Sequence, residues 1–183
     1  PVLVHVGPHQ NGSPVMADTN DEHGLSPFGK QWMAGQLAAM RELTLFFAPN
    51  INSYKRFVPG SFAPTAVAWG VDNRTCSLRL VGKGHSLRPE NRVPGGDVHQ
   101  YLAVAAMIAS GLDGVERGLE LPAPLSGNAY TADVPHVPST LREATKLFEE
   151  SALARAAFGD EVVDHYVNAA DVGITIPDIV WGD

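Results

Sequence analysis

The strongest constraint on the fold lies mid-chain, where TAVAWG and TCSLRLV carry β-branched and aromatic residues between Pro64 and the Gly82–Gly84 pair. Such runs read as β-strands. On the second, Ser77, Arg79 and Val81 share one face, while Cys76, Leu78 and Leu80 share the other. Arg79 therefore points away from an apolar face, and Arg74 sits where the strand begins. Glu90 and Arg92, two positions apart, project to the same side of an extended segment. The expected fold class is α+β: helices packed on a mostly antiparallel sheet, with the arginine face left open.

The flanking segments supply the helices. Ser26-Pro27 reads as an N-cap followed by proline at the first helical position. Phe28, Trp32, Met33, Leu37, Met40, Leu43, Leu45 and Phe46 then make one broad helical stripe that Pro49 stops. Asp97 is a plausible N-cap for YLAVAAMIASGLDG, with Gly111 or Gly114 as its end. Residues 122–138 read as a linker rich in Pro, Gly, Ser and Asn, ordered only by packing on the domain. Thr140 and Glu143 form a capping box for LREATKLFEES. Ala152–Phe158 continues helical, Gly159 breaks it, and Glu161–Asp171 is the last helix. Val2–Val6 reads as a short strand in which His5, on its neighbours alone, is a structural histidine. Asp18, Asp21 and Glu22 lie in a turn-rich loop whose spacing fits no calcium loop and read as solvated. His165 reads as a surface residue.

Charge marks out the same central stretch. Seven of the thirteen Lys and Arg residues fall between Lys55 and Arg92, against only Asp72 and Glu90, in a chain of net charge −7. Five of the seven are arginines, whose planar fork suits carboxylates and phosphates. Concentrated Arg on an acidic chain points to a focused anion site, with a solvated, ion-paired patch as the bland alternative. A carboxylate beside an arginine is either a salt bridge or a metal ligand beside a substrate clamp. A pI near 5.4 argues against nucleic acid or an anionic membrane as partner. The single cysteine, Cys76, excludes an intrachain disulfide and fits the cytoplasm. No apolar run reaches the roughly eighteen residues of a membrane span. At 183 residues the chain is expected to be one domain.

NSYKRFVPG, then W-G-x-D-N-R-T-x-x-x-x-R, then R-x-E-N-R-x-P-G-x-D, resembles the C-terminal part of the catalytic domain of the glutamine synthetase family. The similarity is greatest to its γ-glutamyl-amine (polyamine or ethanolamine) synthetase branch, and it covers Leu3 to Asp171. The resemblance implies a role for each matched residue. By it, Arg56 matches the arginine that holds the substrate glutamate carboxylate. Arg74 and Arg79 match the pair on the ATP phosphates and the transferring phosphoryl group, and Arg88 matches another arginine on the nucleotide side. Glu90 matches a ligand of Mg²⁺ or Mn²⁺. Arg92 matches the second arginine of the glutamate and acyl-phosphate site, and His5 aligns on the nucleotide side. The implied reaction is phosphorylation of the glutamate γ-carboxylate by ATP, then displacement of phosphate by an amine or ammonia.

Several positions depart from the family. Phe62 stands where a loop Glu helps deprotonate ammonium; Phe accepts no proton, which favours an organic amine. Leu3 stands at a histidine metal-ligand position, Gly7 replaces a hydroxyl residue, and His99-Gln100 replaces Asn-Pro. The tail GITIPDIVWGD lacks the family pattern. Residues 1–183 are read as the C-terminal part of the catalytic domain, without the N-terminal β domain and the early pair of Glu ligands. The isolated chain is accordingly expected to be inactive. Full-length relatives form homo-oligomeric rings. The alternative is a non-catalytic, degenerate relative with an anion-binding or assembly role.

Overall fold

A computed structural model describes residues 9–10, 13–61 and 63–180. The strand expected at Val2–Val6, with Leu3, His5 and Gly7, lies outside the described residues, as does Phe62. A two-residue hairpin, β1 (His9–Gln10) and β2 (Ser13–Pro14), leads into α1 (Pro27–Ala39). Ser26 caps α1 as expected: its Oγ accepts from Gly29 N at 3.0 Å and donates to Val15 O at 2.5 Å. Asp21 is not merely solvated. Its carboxylate accepts from His23 N and Leu25 N, each at 3.0 Å, and pairs with Lys30, which fixes the turn before the helix and holds the carboxyl below its usual range.

The broad stripe expected as one helix is broken. α1 ends at Ala39 and a separate turn, α2 (Thr44–Phe47), follows. Leu43 through Ala48 are all buried, and a helix that is apolar all round cannot show one face to water without being re-aimed into the core. Thr44 assists by donating its hydroxyl to Met40 O at 2.7 Å. α3 (Ile51–Tyr54) then delivers the chain to the sheet.

That sheet is β3 (Ala66–Val71), β4 (Cys76–Val81) and β5 (Arg88–Asn91), with β4 in the centre. β4 pairs parallel to β3 and antiparallel to β5, so the α+β expectation holds on a small mixed sheet. A register shift between Ala66 and Trp69 is bridged by the Ser77 hydroxyl, which accepts from Ala68 N at 3.3 Å and donates to Ala68 O at 3.0 Å. Residues 122–138 are ordered by packing on the domain, as expected. Leu125 N donates to Trp69 O, Val67 N to Pro135 O and Val137 N to Thr65 O, each at 2.8 Å, so this segment satisfies backbone groups of β3 and the residue before it.

α4 (Gln100–Glu116) is capped by His99 without a side-chain bond, and Asp97 acts elsewhere. Gly111 and Gly114 do not end it. They lie inside the helix, against α1: a Cβ on Gly114 would stand 2.3 Å from Gln31 O, and one on Gly111 2.4 Å from the Trp32 ring. The helix gives way instead at Gly118, whose φ is +61°. α5 (Leu141–Glu149) is capped by Thr140, which accepts from Glu143 N at 3.2 Å, while Glu143 reaches back to Ser139 N at 3.0 Å. α6 (Ala152–Phe158) ends at Gly159, and α7 starts at Asp160 and runs on through the divergent tail to Val180. Phe46 is the hub of this helical half, with ring centroids 4.6 Å from Phe148 and 5.2 Å from both Phe158 and Tyr166. His165 is exposed, as expected. No helix among the described residues is long and apolar enough to cross a membrane.

Candidate anion-binding site

The site is built on the face of the sheet that the helices leave open. Leu78 and Leu80 of β4 are buried in the core, which turns Arg79 to the opposite side. The antiparallel register sets Arg79 directly across from Glu90, the geometry in which cross-strand charges meet. Arg79 Nη1 donates to Glu90 Oε2 at 3.2 Å, and Arg79 Nε to Asp72 Oδ1 at 2.9 Å. That hydrogen bond holds the Asp72 carboxyl below, and the Arg79 guanidinium above, its usual range.

Two more arginines converge on Glu90. Arg88 Nη2 lies 3.6 Å from Oε1 and Arg92 Nη1 3.9 Å from Oε2, so Glu90 and Arg92 do project to one side. Arg92 Nε also donates to Arg74 O at 3.2 Å, which ties the turn bearing Arg74 to the cluster. Burial, followed by the nearby Arg79 charge, pulls Arg92 below the usual guanidinium range. Three guanidiniums thus share two carboxylates, with Arg74 on the adjoining turn, and the local field favours a further anion. Next to this cluster lies a groove of about 560 Å³, lined by Val71 to Arg74 on one side and Pro124 to Gly127 on the other.

Asn73 shapes the turn and was not singled out from the sequence. Its Oδ1 accepts from Thr75 N at 3.0 Å and Thr75 Oγ1 at 2.7 Å, and its Nδ2 donates to Leu125 O at 3.1 Å and Gly127 O at 2.9 Å. The D-N-R-T string carried the signal, since Asn beside a strand end is a turn former. Asn73 leaves Arg74 exposed at the tip of the turn.

Arg56 stands on the other side of Arg92, in the turn after α3. Its Nη2 donates to Val93 O, and its guanidinium lies 4.7 Å from the Phe57 ring centroid. Burial lowers its pKa, with Asp97 opposing. The structure therefore gathers Arg74, Arg79, Arg88, Arg92 and Glu90 into one cluster and joins Arg56 to it through Val93. His5 lies outside the described residues.

The donor set bears directly on a divalent cation. Glu90 offers one carboxylate, both of whose oxygens already face arginines. No group of three His, Cys, Asp or Glu side chains able to hold a metal occurs among the described residues. Glu90 would by itself supply one carboxylate of the several oxygen ligands that Mg²⁺ or Mn²⁺ takes.

The sequence of residues 3–174 matches the family described as glutamine synthetase, catalytic domain. Over 149 residues the chain is 67% identical to a gamma-glutamylethanolamide synthetase, GlnA4, of Streptomyces coelicolor, covering 81% of this chain and 32% of that protein. It is 42% identical over 159 residues to a glutamate–isopropylamine ligase of Pseudomonas sp, covering 85% and 35%. Among solved structures, a GmaS/ADP complex superposes with a TM-score of 0.82 at 26% identity, covering 90% of this chain and 39% of that one. The chain spans about a third of the length of the curated relatives it matches.

Proposed function

Because the chain belongs to the glutamine synthetase family, near its γ-glutamyl-amine synthetase branch, we propose that it forms the arginine-rich part of an ATP-dependent glutamate–amine ligase. The observation that carries this reading is Glu90 set across the sheet from Arg79 and flanked by Arg88 and Arg92. The reaction has two steps. The γ-carboxylate oxygen of glutamate takes the terminal phosphoryl group of ATP, releasing ADP. The amine nitrogen then attacks the acyl carbon, phosphate leaves, and the amine loses a proton.

Phosphoryl transfer asks a protein mainly for positioning and for positive charge against the spread negative charge of the transferring group. Arg74, Arg79 and Arg88 supply that charge on the nucleotide side, and Arg74 stands at the mouth of the groove. Arg56 and Arg92 hold the glutamate carboxylates, and Arg92 also faces the acyl phosphate. Glu90 would hold a divalent cation in part, and such a cation would neutralise phosphate charge. Phe62, which accepts no proton, favours an organic amine over ammonium.

A chimera tests the assignment. The residues of this chain replace the matched third of the Streptomyces coelicolor relative, and ADP release is measured with glutamate plus ethanolamine, isopropylamine or ammonium. The expected result is glutamate-dependent turnover with an organic amine, exceeding that with ammonium. A folded chimera active only with ammonium would move the assignment to glutamine synthesis, and a folded, inactive chimera would overturn it.

A further inference from the structure

We infer that Asp97 is a positioning residue for Arg56, turning the Nη edge of its guanidinium toward a bound carboxylate. The inference rests on the reading of Arg56 as a glutamate-binding residue and adds the group that orients it. Asp97 is expected from sequence to cap α4, but its carboxylate is engaged on the opposite side of the chain. Oδ2 accepts from Ser53 Oγ at 2.5 Å and from Asn50 Nδ2 at 3.3 Å. Ser53 Oγ in turn accepts from Asn50 N at 3.1 Å, so the carboxylate is locked into the start of α3. Both bonds fall on one oxygen.

The other oxygen shares a small space with Arg56 without hydrogen-bonding to it, and the two charges act on each other through that space. A Cβ built on Gly95 would stand 2.4 Å from Asp97 Oδ1 and 3.2 Å from Arg56 Nε. The two atoms therefore border the same small space, kept clear because residue 95 has no side chain. Arg56 Nε is buried and has no protein hydrogen-bond partner, and a buried N–H without an acceptor is costly. Its neighbour Nη2 is already fixed on Val93 O, with the Phe57 ring supporting the guanidinium plane. With Nη2 held by Val93 and Nε set beside the Asp97 charge, Nη1 is the group turned to meet a ligand. Burial pushes the Asp97 carboxyl up, but hydrogen bonds from Ser53, Asn50 and a backbone N–H, with the Arg56 charge, together hold it below the usual range.

The experiment follows the Arg56 Nε–H directly by ¹H–¹⁵N NMR of the chain, with and without L-glutamate. Asp97→Asn keeps the shape and removes the charge. It is expected to accelerate solvent exchange of the Arg56 Nε–H by about tenfold, as the field of the neighbouring carboxylate is lost. Asp97→Glu should restore most of the protection, and Gly95→Ala, which inserts a methyl between the two groups, should mimic the loss. Ser53→Ala, which breaks the α3 cap and leaves the charge, should lower thermal stability with a smaller effect on exchange. Unchanged exchange in Asp97→Asn would overturn the inference, as would equal acceleration in Ser53→Ala and Asp97→Asn, since that pattern marks a purely structural role. L-glutamate is expected to shift the Arg56 resonance in the wild type, with an apparent Kd about tenfold weaker in Asp97→Asn; equal Kd values would also overturn it. No shift with glutamate, together with altered exchange in Asp97→Asn, would uphold the positioning role and remove the glutamate reading instead.

Discussion

Replacing Gly35 by alanine is expected to lower the thermal midpoint by about 6–12 °C, the shift that roughly 3 kcal/mol produces in a domain of this size. Helix propensity alone predicts the opposite sign, because Ala is favoured over Gly inside a helix by about 1 kcal/mol. The structure decides between them. A Cβ at Gly35 would stand 2.1 Å from Ser110 O and 2.7 Å from the Cα and N of Gly114. All three are backbone atoms of α4, so no rotamer change relieves the clash and the two helices must separate. Gly96 is the control, since a Cβ there meets nothing within 4 Å. Differential scanning calorimetry of Gly35→Ala and Gly96→Ala reads the contrast. A stabilised Gly35→Ala would mean that α1 and α4 do not approach as described.

Phe148→Ala is expected to cost about 3–5 kcal/mol, the range for truncating a buried aromatic. Phe148 has no exposed surface, and its ring lies tilted, with centroids 4.6 Å apart, against that of Phe46, the residue that also meets Phe158 and Tyr166. Removing it opens a cavity where α2, α5 and α7 meet and takes away an aromatic pair. Urea unfolding measures the loss; Phe148→Leu, which keeps most of the volume, should recover more than half of it. A cost below about 1 kcal/mol for the alanine variant would contradict the described core.

Neither effect was legible as a magnitude in the sequence, although the elements themselves largely were. The caps at Ser26 and Thr140 and the break at Gly159 are local signals, and local signals survive into the fold. The differences arise where tertiary packing overrides them. Gly111 and Gly114 look like stops, yet they are the places where two helices touch. Asp97 looks like a cap for α4, yet its carboxylate is drawn to Ser53 and Asn50, far off in sequence. The apolar run from Leu43 to Ala48 looks like one more turn of a helix, yet burial on every side bends it away.

For the site, alternation along β4 was enough to separate Arg79 from Leu78 and Leu80, and the two-residue spacing placed Glu90 beside Arg92. The partners that only the third dimension supplies were missed. Asp72 takes two of the Arg79 donors, and Asn73 pins the turn to a segment some fifty residues on. Both lie within the motif that carries the family resemblance, but their roles depend on where residues 122–138 come to rest.

The central claim is that the arginine cluster around Glu90 is a working phosphate site. Calorimetric titration of the chain with a non-hydrolysable ATP analogue and Mg²⁺, for wild type and Arg79→Ala, tests it most directly. Saturable binding that weakens by about ten- to a hundredfold in Arg79→Ala is expected, since charge-assisted hydrogen bonds contribute about 1.5–3 kcal/mol. Wild-type binding matched by Arg79→Ala, or no binding by the wild type with or without the metal, would contradict it.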